Sequence, residues 1–240
     1  MSNSAPDEAT VRAGATGIKE FADKESCRHA LVQNGELCPA IVQCLSKQQP
    51  DDIAEALLET VDQMSKTDAG RRAIFSGLTI PMLVRMLGSV NVKLVQFALT
   101  TLHRLEHFLT DLVKEPIRSA GGVAKMTEVL VERRASPDKP WSNRFLAMLF
   151  DALNILCLGD NGSKTIFLSK GGLDALIDIL NGFGQGQLTY EKLALTCVRT
   201  FCILSAYTTI KDKIIELSGM ESASAVYHVP NEFTKPMVTR

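Results

Sequence analysis

Arg71-Arg72-Ala73-Ile74-Phe75-Ser76-Gly77-Leu78-Thr79-Ile80-Pro81-Met82-Leu83-Val84-Arg85-Met86-Leu87-Gly88-Ser89 reads as a short helix, a glycine turn and a second helix. Ile80, Leu83, Val84 and Leu87 fall at helical spacing, so they form one apolar stripe. The same order of signals returns at 31–35, 117–122, 167–172 and 215–219, with Leu173, Leu176, Ile177 and Leu180 repeating the second-helix stripe. Counting from Gly35 to Gly77, Gly122, Gly172 and Gly219 gives periods of 42, 45, 50 and 47 residues. Such periods belong to armadillo or HEAT arrays. One helix pair cannot bury its own apolar face, so the units stack, and the product is a binding surface rather than a container for chemistry. At each junction the glycine is expected to let the chain turn where a side chain would clash.

A longer third helix is predicted at 52–65, 92–108, 143–158 and 189–206. These helices end alike, on Thr60-Val61-Asp62-Gln63-Met64-Ser65, Thr101-Leu102-His103-Arg104-Leu105, Ala152-Leu153-Asn154-Ile155-Leu156 and Thr200-Phe201-Cys202-Ile203-Leu204-Ser205. The second and fifth places are apolar and predicted to pack inward, with the polar residues between them facing solvent. Residues 132–143, with Ser136-Pro137 and Lys139-Pro140, read as an extended surface loop containing Trp141. Gly182-Phe183-Gly184-Gln185-Gly186 reads as a flexible linker; it follows a helix rather than a strand, which removes the context of a phosphate loop. Residues 9–23 read as a lone third helix, and 220–240 begin a unit and stop, as if cut from a longer array. The expected division is therefore the end of a truncated repeat at 1–23, repeats at 24–65, 66–109, 110–160 and 161–207, and an incomplete repeat at 208–240.

The 240 residues are 45% hydrophobic and 22% charged, with a net charge of −1. That balance supplies a core and argues against generic nucleic-acid binding, which needs a basic excess. The polar, acidic N-terminus is neither a secretory signal nor a transit peptide, and the longest apolar runs, such as 145–150, are far too short for a membrane span. The six cysteines (27, 38, 44, 157, 197 and 202) lack zinc-type pairing and sit among apolar neighbours. They are expected to be reduced and buried in an intracellular protein. Asn161-Gly162-Ser163 has the form of a glycosylation sequon but reads as a turn.

Residues 71–89, Ala98-Leu99-Thr100-Thr101-Leu102-His103, Ala120-Gly121-Gly122, Ser163-Lys164 and Tyr190-Glu191-Lys192-Leu193 together resemble the β-catenin/Armadillo family. The similarity runs from about residue 13 to residue 219, and much of it is divergent. The resemblance implies an all-α armadillo-repeat right-handed superhelix, an α-solenoid of about five repeats, whose third helices line a basic groove. It implies partners that are acidic, extended segments of cadherin tails, T-cell-factor-type transcription factors and destruction-complex proteins. It also implies a cytoplasmic protein that reaches the nucleus and cell junctions, and a role in adhesion and Wnt signalling. On this resemblance, the family's N-terminal degron, most of its α-catenin-binding segment, its later repeats and its C-terminal transactivation tail are expected to fall outside the matched stretch.

Carried over by position, Lys164 matches a groove lysine, Arg199 a groove arginine and His103 a groove histidine, while Arg144 stands where the family has lysine and Phe97 where it has tyrosine. Cys202 replaces a groove lysine, Leu195 a groove tryptophan, and Gln63 and Arg104 the asparagines that clamp a ligand backbone. Independently of the resemblance, Leu195, Arg199 and Cys202 lie at i, i+4 and i+7 and so share a helix face. An arginine there can grip a carboxylate bidentately, whereas Lys164 would act as a point charge. The bland reading of the same residues is solvated charge on an ordinary helix.

Three other readings compete. A generic armadillo or HEAT adaptor, as in nuclear transport, would carry tryptophan–asparagine arrays on its third helices, and the single tryptophan lies elsewhere. His103-Arg104-Leu105-Glu106-His107 has the H-x-x-E-H form of inverted zinc peptidases, but no downstream acidic ligand is evident and no catalytic constellation emerges. The expectation is a non-enzyme without metal or cofactor. Finally, Arg133-Arg134-Ala135-Ser136-Pro137 makes Ser136 a kinase-target candidate, where phosphate would oppose acidic ligands.

Overall fold

The computed structural model describes residues 7–76, 79–108, 110–135 and 141–206. The described residues form helices joined by short turns, and the chain divides into two compact units, Met1–Ala120 and Gly121–Arg240. The division falls at Gly121, inside the stretch expected to be the repeat 110–160.

The first unit holds α1 (Glu8–Asp23), α2 (Glu25–Gln33), α3 (Leu37–Ser46), α4 (Asp51–Met64), α5 (Asp68–Ser76), α6 (Thr79–Met86), α7 (Val92–Phe108) and α8 (Thr110–Ser119). Local chemistry sets the starts. Asp7 caps α1 by accepting from the Thr10 amide at 2.7 Å, Thr67 receives the Gly70 amide at 3.1 Å ahead of α5, and Asp51 and Asp52 place negative charge at the positive end of α4. Pro39 and Pro81 sit in first turns, where no intrahelical donor is lost. Helices of one kind pack on the same kind one repeat away: α2 on α5, α3 on α6, and α1 on α4 on α7. The stretch 9–23, read as a lone third helix, is α1, which lies along α4.

The second unit holds α9 (Gly122–Ala135), α10 (Asn143–Cys157), α11 (Asn161–Ser169), α12 (Gly172–Gly184) and α13 (Glu191–Ser205). Ser142 caps α10 through the Phe145 amide at 3.1 Å, and Asp160 caps α11 through the Ser163 amide at 2.6 Å. The sequon-like Asn161-Gly162-Ser163 is thus the first turn of a helix. Again like packs on like, α9 on α12 and α10 on α13.

The predicted second and fifth places of the third helices are the core. Val61, Met64, Leu102, Leu105, Leu153, Leu156, Phe201 and Leu204 are all buried, as are the second-helix stripes at 80–87 and 173–180. Four other expectations are corrected. Asp62 and Asn154 do not face solvent; they are 6% and 3% exposed, because each points at the next third helix of its own unit. Glu132 to Ala135, read as the start of a surface loop, are the end of α9, and Trp141 is buried and stacked on Phe145 with ring centroids 4.4 Å apart. Ser136, the junction at 215–219 and the incomplete repeat lie outside the described residues. The supposed linker at 182–186 is the end of α12: the Gln187 amide donates to Gly182 and the Gly186 amide to Phe183, at 2.9 and 3.0 Å, with Gly186 left-handed. That bond pair is a Schellman cap, and Phe183 is buried. No cysteine is in a disulfide, but Cys202 is exposed and Cys27 and Cys44 only partly covered. Burial pushes the Cys38 thiol up to about 11 and Cys197 well above its ordinary value, which makes both poor nucleophiles at neutral pH.

The junction glycines are not equivalent. Gly121 and Gly171 both hold φ +80°, whereas Gly35 avoids the left-handed region and a Cβ there would meet nothing within 4 Å. Gly171→Ala is therefore expected to cost about 1–2 kcal/mol, while Gly35→Ala costs nothing measurable. Urea denaturation of the two variants measures the contrast, and equal losses would remove the distinction.

Candidate partner-binding faces

In the first unit the exposed side of the third-helix row is organised by charge. α4 carries Asp51, Asp52, Glu55, Glu59 and Asp62 and no cation. Its acids reach cations one repeat away on either side: Arg12 meets Asp52 at 2.6 Å, Lys19 meets Glu59 at 2.9 Å, and Lys93 meets Glu55 at 2.7 Å. The ammonium of Lys93 and the amide of Asn91 hold the Glu55 carboxyl below its ordinary range, and Arg12 does the same for Asp52. Such exposed pairs contribute under about 1 kcal/mol each. Their effect is to set register between helices. The expected run of basic side chains on successive third helices therefore has an exception at α4, whose surface is acidic.

Arg104 is the most constrained of the predicted residues in this unit. Its Nη1 donates to the Asp62 carboxylate at 2.7 Å, the Asp62 carbonyl at 2.9 Å and Ser65 Oγ at 2.8 Å. Burial pushes the Asp62 carboxyl up, and the guanidinium opposes that shift. Arg104 thus ties α7 to α4 where the resemblance implied a contact to ligand. Phe97 and His103, on the same helix, are half-buried. Of the H-x-x-E-H residues, His103 and His107 turn their Nε2 atoms toward one another at 3.1 Å, while Glu106 is fully buried. A catalytic acid must share the metal's side of the helix, so the peptidase geometry is not formed.

In the second unit, Leu195 is half-buried and Arg199 and Cys202 are exposed, while Leu193, Ala194, Cys197, Val198 and Phe201 pack inward. The i, i+4, i+7 set does reach solvent on one helix. Arg199 lies 3.6 Å from Asp151 of α10, a long pair with its side chain 46% exposed. Arg144, the second residue of α10, is exposed and has no ion-pair partner among the described residues. Lys164, four residues into α11, is only 7% exposed. It sits in the wall of the unit and does not project from it. Asn154 donates to the Thr196 carbonyl at 3.3 Å, linking α10 to α13.

Sequence reasoning passed over Glu55, Asp62, Asp151 and Asn154. A signal existed: Asp62–Arg104 and Asn154–Thr196 are each 42 residues apart, one repeat length, so opposite or complementary groups one period apart mark neighbouring third helices.

No family model matches the chain. Among curated proteins, junction plakoglobin of Homo sapiens is 32% identical over 216 residues, which cover 90% of this chain and 27% of plakoglobin. Catenin beta of Urechis caupo is 30% identical over 210 residues, covering 88% of this chain and 24% of the relative. The chain thus spans about a quarter of the length of these relatives. Among solved structures, one from work on a phosphorylation switch controlling the interaction between cadherin and beta-catenin aligns with a TM-score of 0.72 at 22% identity, over 92% of this chain and 43% of that one. A designed armadillo repeat protein aligns with a TM-score of 0.68 at 14% identity, over 99% and 93%. These likenesses establish an all-α, armadillo-repeat fold.

Proposed function

The chain belongs to the β-catenin/Armadillo family, and from that premise we propose that it is a protein-interaction scaffold whose second unit receives an acidic, extended peptide. The partners in this reading are cadherin-type tails first, with T-cell-factor-type and destruction-complex segments as further ligands of the same chemistry. The role is adhesion and Wnt-type signalling, at cell junctions, in the cytoplasm and in the nucleus. The mechanism is recognition without catalysis. Among the described residues no helix is long and apolar enough to cross a membrane.

The observation that carries the reading is Arg199. Its guanidinium is half exposed and held by Asp151 only at 3.6 Å, so a partner's carboxylate can replace a weak internal pair with a bidentate one. Arg144 supplies a second cation on α10, exposed and without an ion-pair partner among the described residues. Leu195 and Cys202 flank Arg199 with apolar surface that a peptide would cover.

Titration of a cadherin-tail peptide and a T-cell-factor peptide into the purified chain tests this. Arg199→Ala is expected to weaken binding about tenfold, close to 1.4 kcal/mol, and added salt should weaken it further. Lys164→Ala is expected to reduce stability more than affinity, because Lys164 is buried. Absence of binding by a folded sample, or binding indifferent to Arg199 and to salt, would refute the acidic-peptide reading.

A further inference from the structure

The two histidines of α7 form a pair whose geometry the scaffold reading does not use. His103 and His107 sit one turn apart, with Nε2 atoms 3.1 Å from each other and ring centroids 4.4 Å apart at 68°. Two imidazole nitrogens each about 2.0–2.1 Å from one zinc ion lie roughly 3.3 Å apart at the tetrahedral angle and roughly 2.9 Å apart at a right angle. The observed separation falls between these values, so one ion fits both nitrogens without moving the helix. His103 is half-buried and His107 exposed, which leaves a path from solvent.

We propose that His103 and His107 chelate one divalent transition-metal ion of the zinc, nickel or copper class through their Nε2 atoms. The surrounding electrostatics suit a cation. The pair occupies the last turns of α7, where the helix dipole presents its negative end. The adjacent guanidinium of Arg104 is already committed to the Asp62 carboxylate. Arg71 and Arg72 lie against the Phe108 ring, 4.3 and 5.4 Å from its centroid, which spreads their charge over an aromatic face. Two histidine ligands leave further coordination positions to water, the arrangement of an exchangeable ion and not of a closed structural site. The buried Glu106 separates this site from a peptidase centre. Imidazole suits these metals, and both rings must bind in the neutral form, so the ring whose Nε2 carries the proton takes the other tautomer, with its proton on Nδ1, when the ion occupies Nε2.

The test is calorimetric titration of zinc chloride, and separately nickel chloride, into the full chain under reducing conditions without peptide. One ion per chain is expected, with affinity reduced roughly tenfold or more in His103→Gln and in His107→Gln, the scale on which even outer partners of a ligating histidine act. His29→Gln, on α2, and Cys202→Ser, the exposed thiol, should leave the affinity unchanged. Circular dichroism of each variant confirms that it folds. Nuclear magnetic resonance of the imidazole nitrogens should move for His103 and His107 together on adding zinc. The proposal is overturned by no binding at millimolar ion, by equal binding in both glutamine variants, or by loss of binding in Cys202→Ser.

Discussion

Gly70→Ala is expected to destabilise the first unit by about 3 kcal/mol, lowering its melting temperature by roughly 10 °C. Only Ser65, Lys66 and Thr67 connect α4 to α5, and the corner is tight enough that a Cβ on Gly70 would overlap the Met64 carbonyl oxygen and stand 2.7 Å from its carbon. The obstacle is backbone at the end of α4, which cannot rotate away as a side chain could. Thr67 fixes the corner from both sides, donating to the Met64 carbonyl at 3.2 Å and accepting the Gly70 amide at 3.1 Å. Relief therefore requires α5 to separate from α4, which uncovers Ile74 and Met64, both fully buried. Gly14→Ala is the matched control. Gly14 lies inside α1 with nothing within 4 Å of the added carbon, so the change should stabilise the chain by about 0.5–1 kcal/mol. Thermal and urea denaturation, with hydrogen exchange at α4 and α5, reads both. A Gly70→Ala protein within about 0.5 kcal/mol of the parent would show that the corner opens at little cost.

Arg104→Met should cost about 3 kcal/mol at neutral pH, the scale for removing one partner of a buried pair, because it leaves the nearly buried Asp62 carboxylate without its guanidinium. Asp62→Asn should cost less, since an amide keeps acceptor geometry toward Arg104, and Arg104 itself is 28% exposed and reaches water. The pH dependence has a definite sign. Burial raises the Asp62 carboxyl above its ordinary 3.8, so the folded state binds that proton more readily than the unfolded one. Its contribution is fully present below the unfolded pKa and is lost as pH rises through the folded value. Arg104 limits that loss by offsetting the charge. Without Arg104 the loss is larger, so the gap between parent and Arg104→Met should narrow as pH falls below the folded pKa of Asp62. The opposite trend from Glu55 and Glu128, whose lysine partners hold their carboxyls low, destabilises both proteins equally on acidification and cancels in the difference. Urea denaturation at pH 7 and at successively lower pH measures it; a gap independent of pH would mean that Asp62 is not the group involved.

The helices were legible because their signals are local. The third helices predicted at 52–65, 92–108, 143–158 and 189–206 are observed at Asp51–Met64, Val92–Phe108, Asn143–Cys157 and Glu191–Ser205, within two residues at each end. The misreadings share a cause. Glycine density at 182–186 suggested a linker, but two backbone bonds close it into a helix cap. The prolines at 137 and 140 suggested a loop from Glu132, yet they act only on residues beside them, and α9 runs to Ala135. The candidate site was less legible. Arg144 and Arg199 are exposed, whereas Lys164 is enclosed and Arg104 is engaged within its own unit.

The sequence by itself determined the third-helix boundaries, the inward second and fifth places and the resemblance to the β-catenin/Armadillo family, because periodicity, caps and turn residues act over a few positions of chain. The tertiary structure alone decided which polar residues meet one another. Helical periodicity orients a side chain about its own axis and says nothing of what covers it. Whether Asp62 is solvated or buried, whether Arg199 is free or held, and whether His103 and His107 converge on one point all depend on neighbouring helices about a repeat away and on rotamers that the chain selects only after packing.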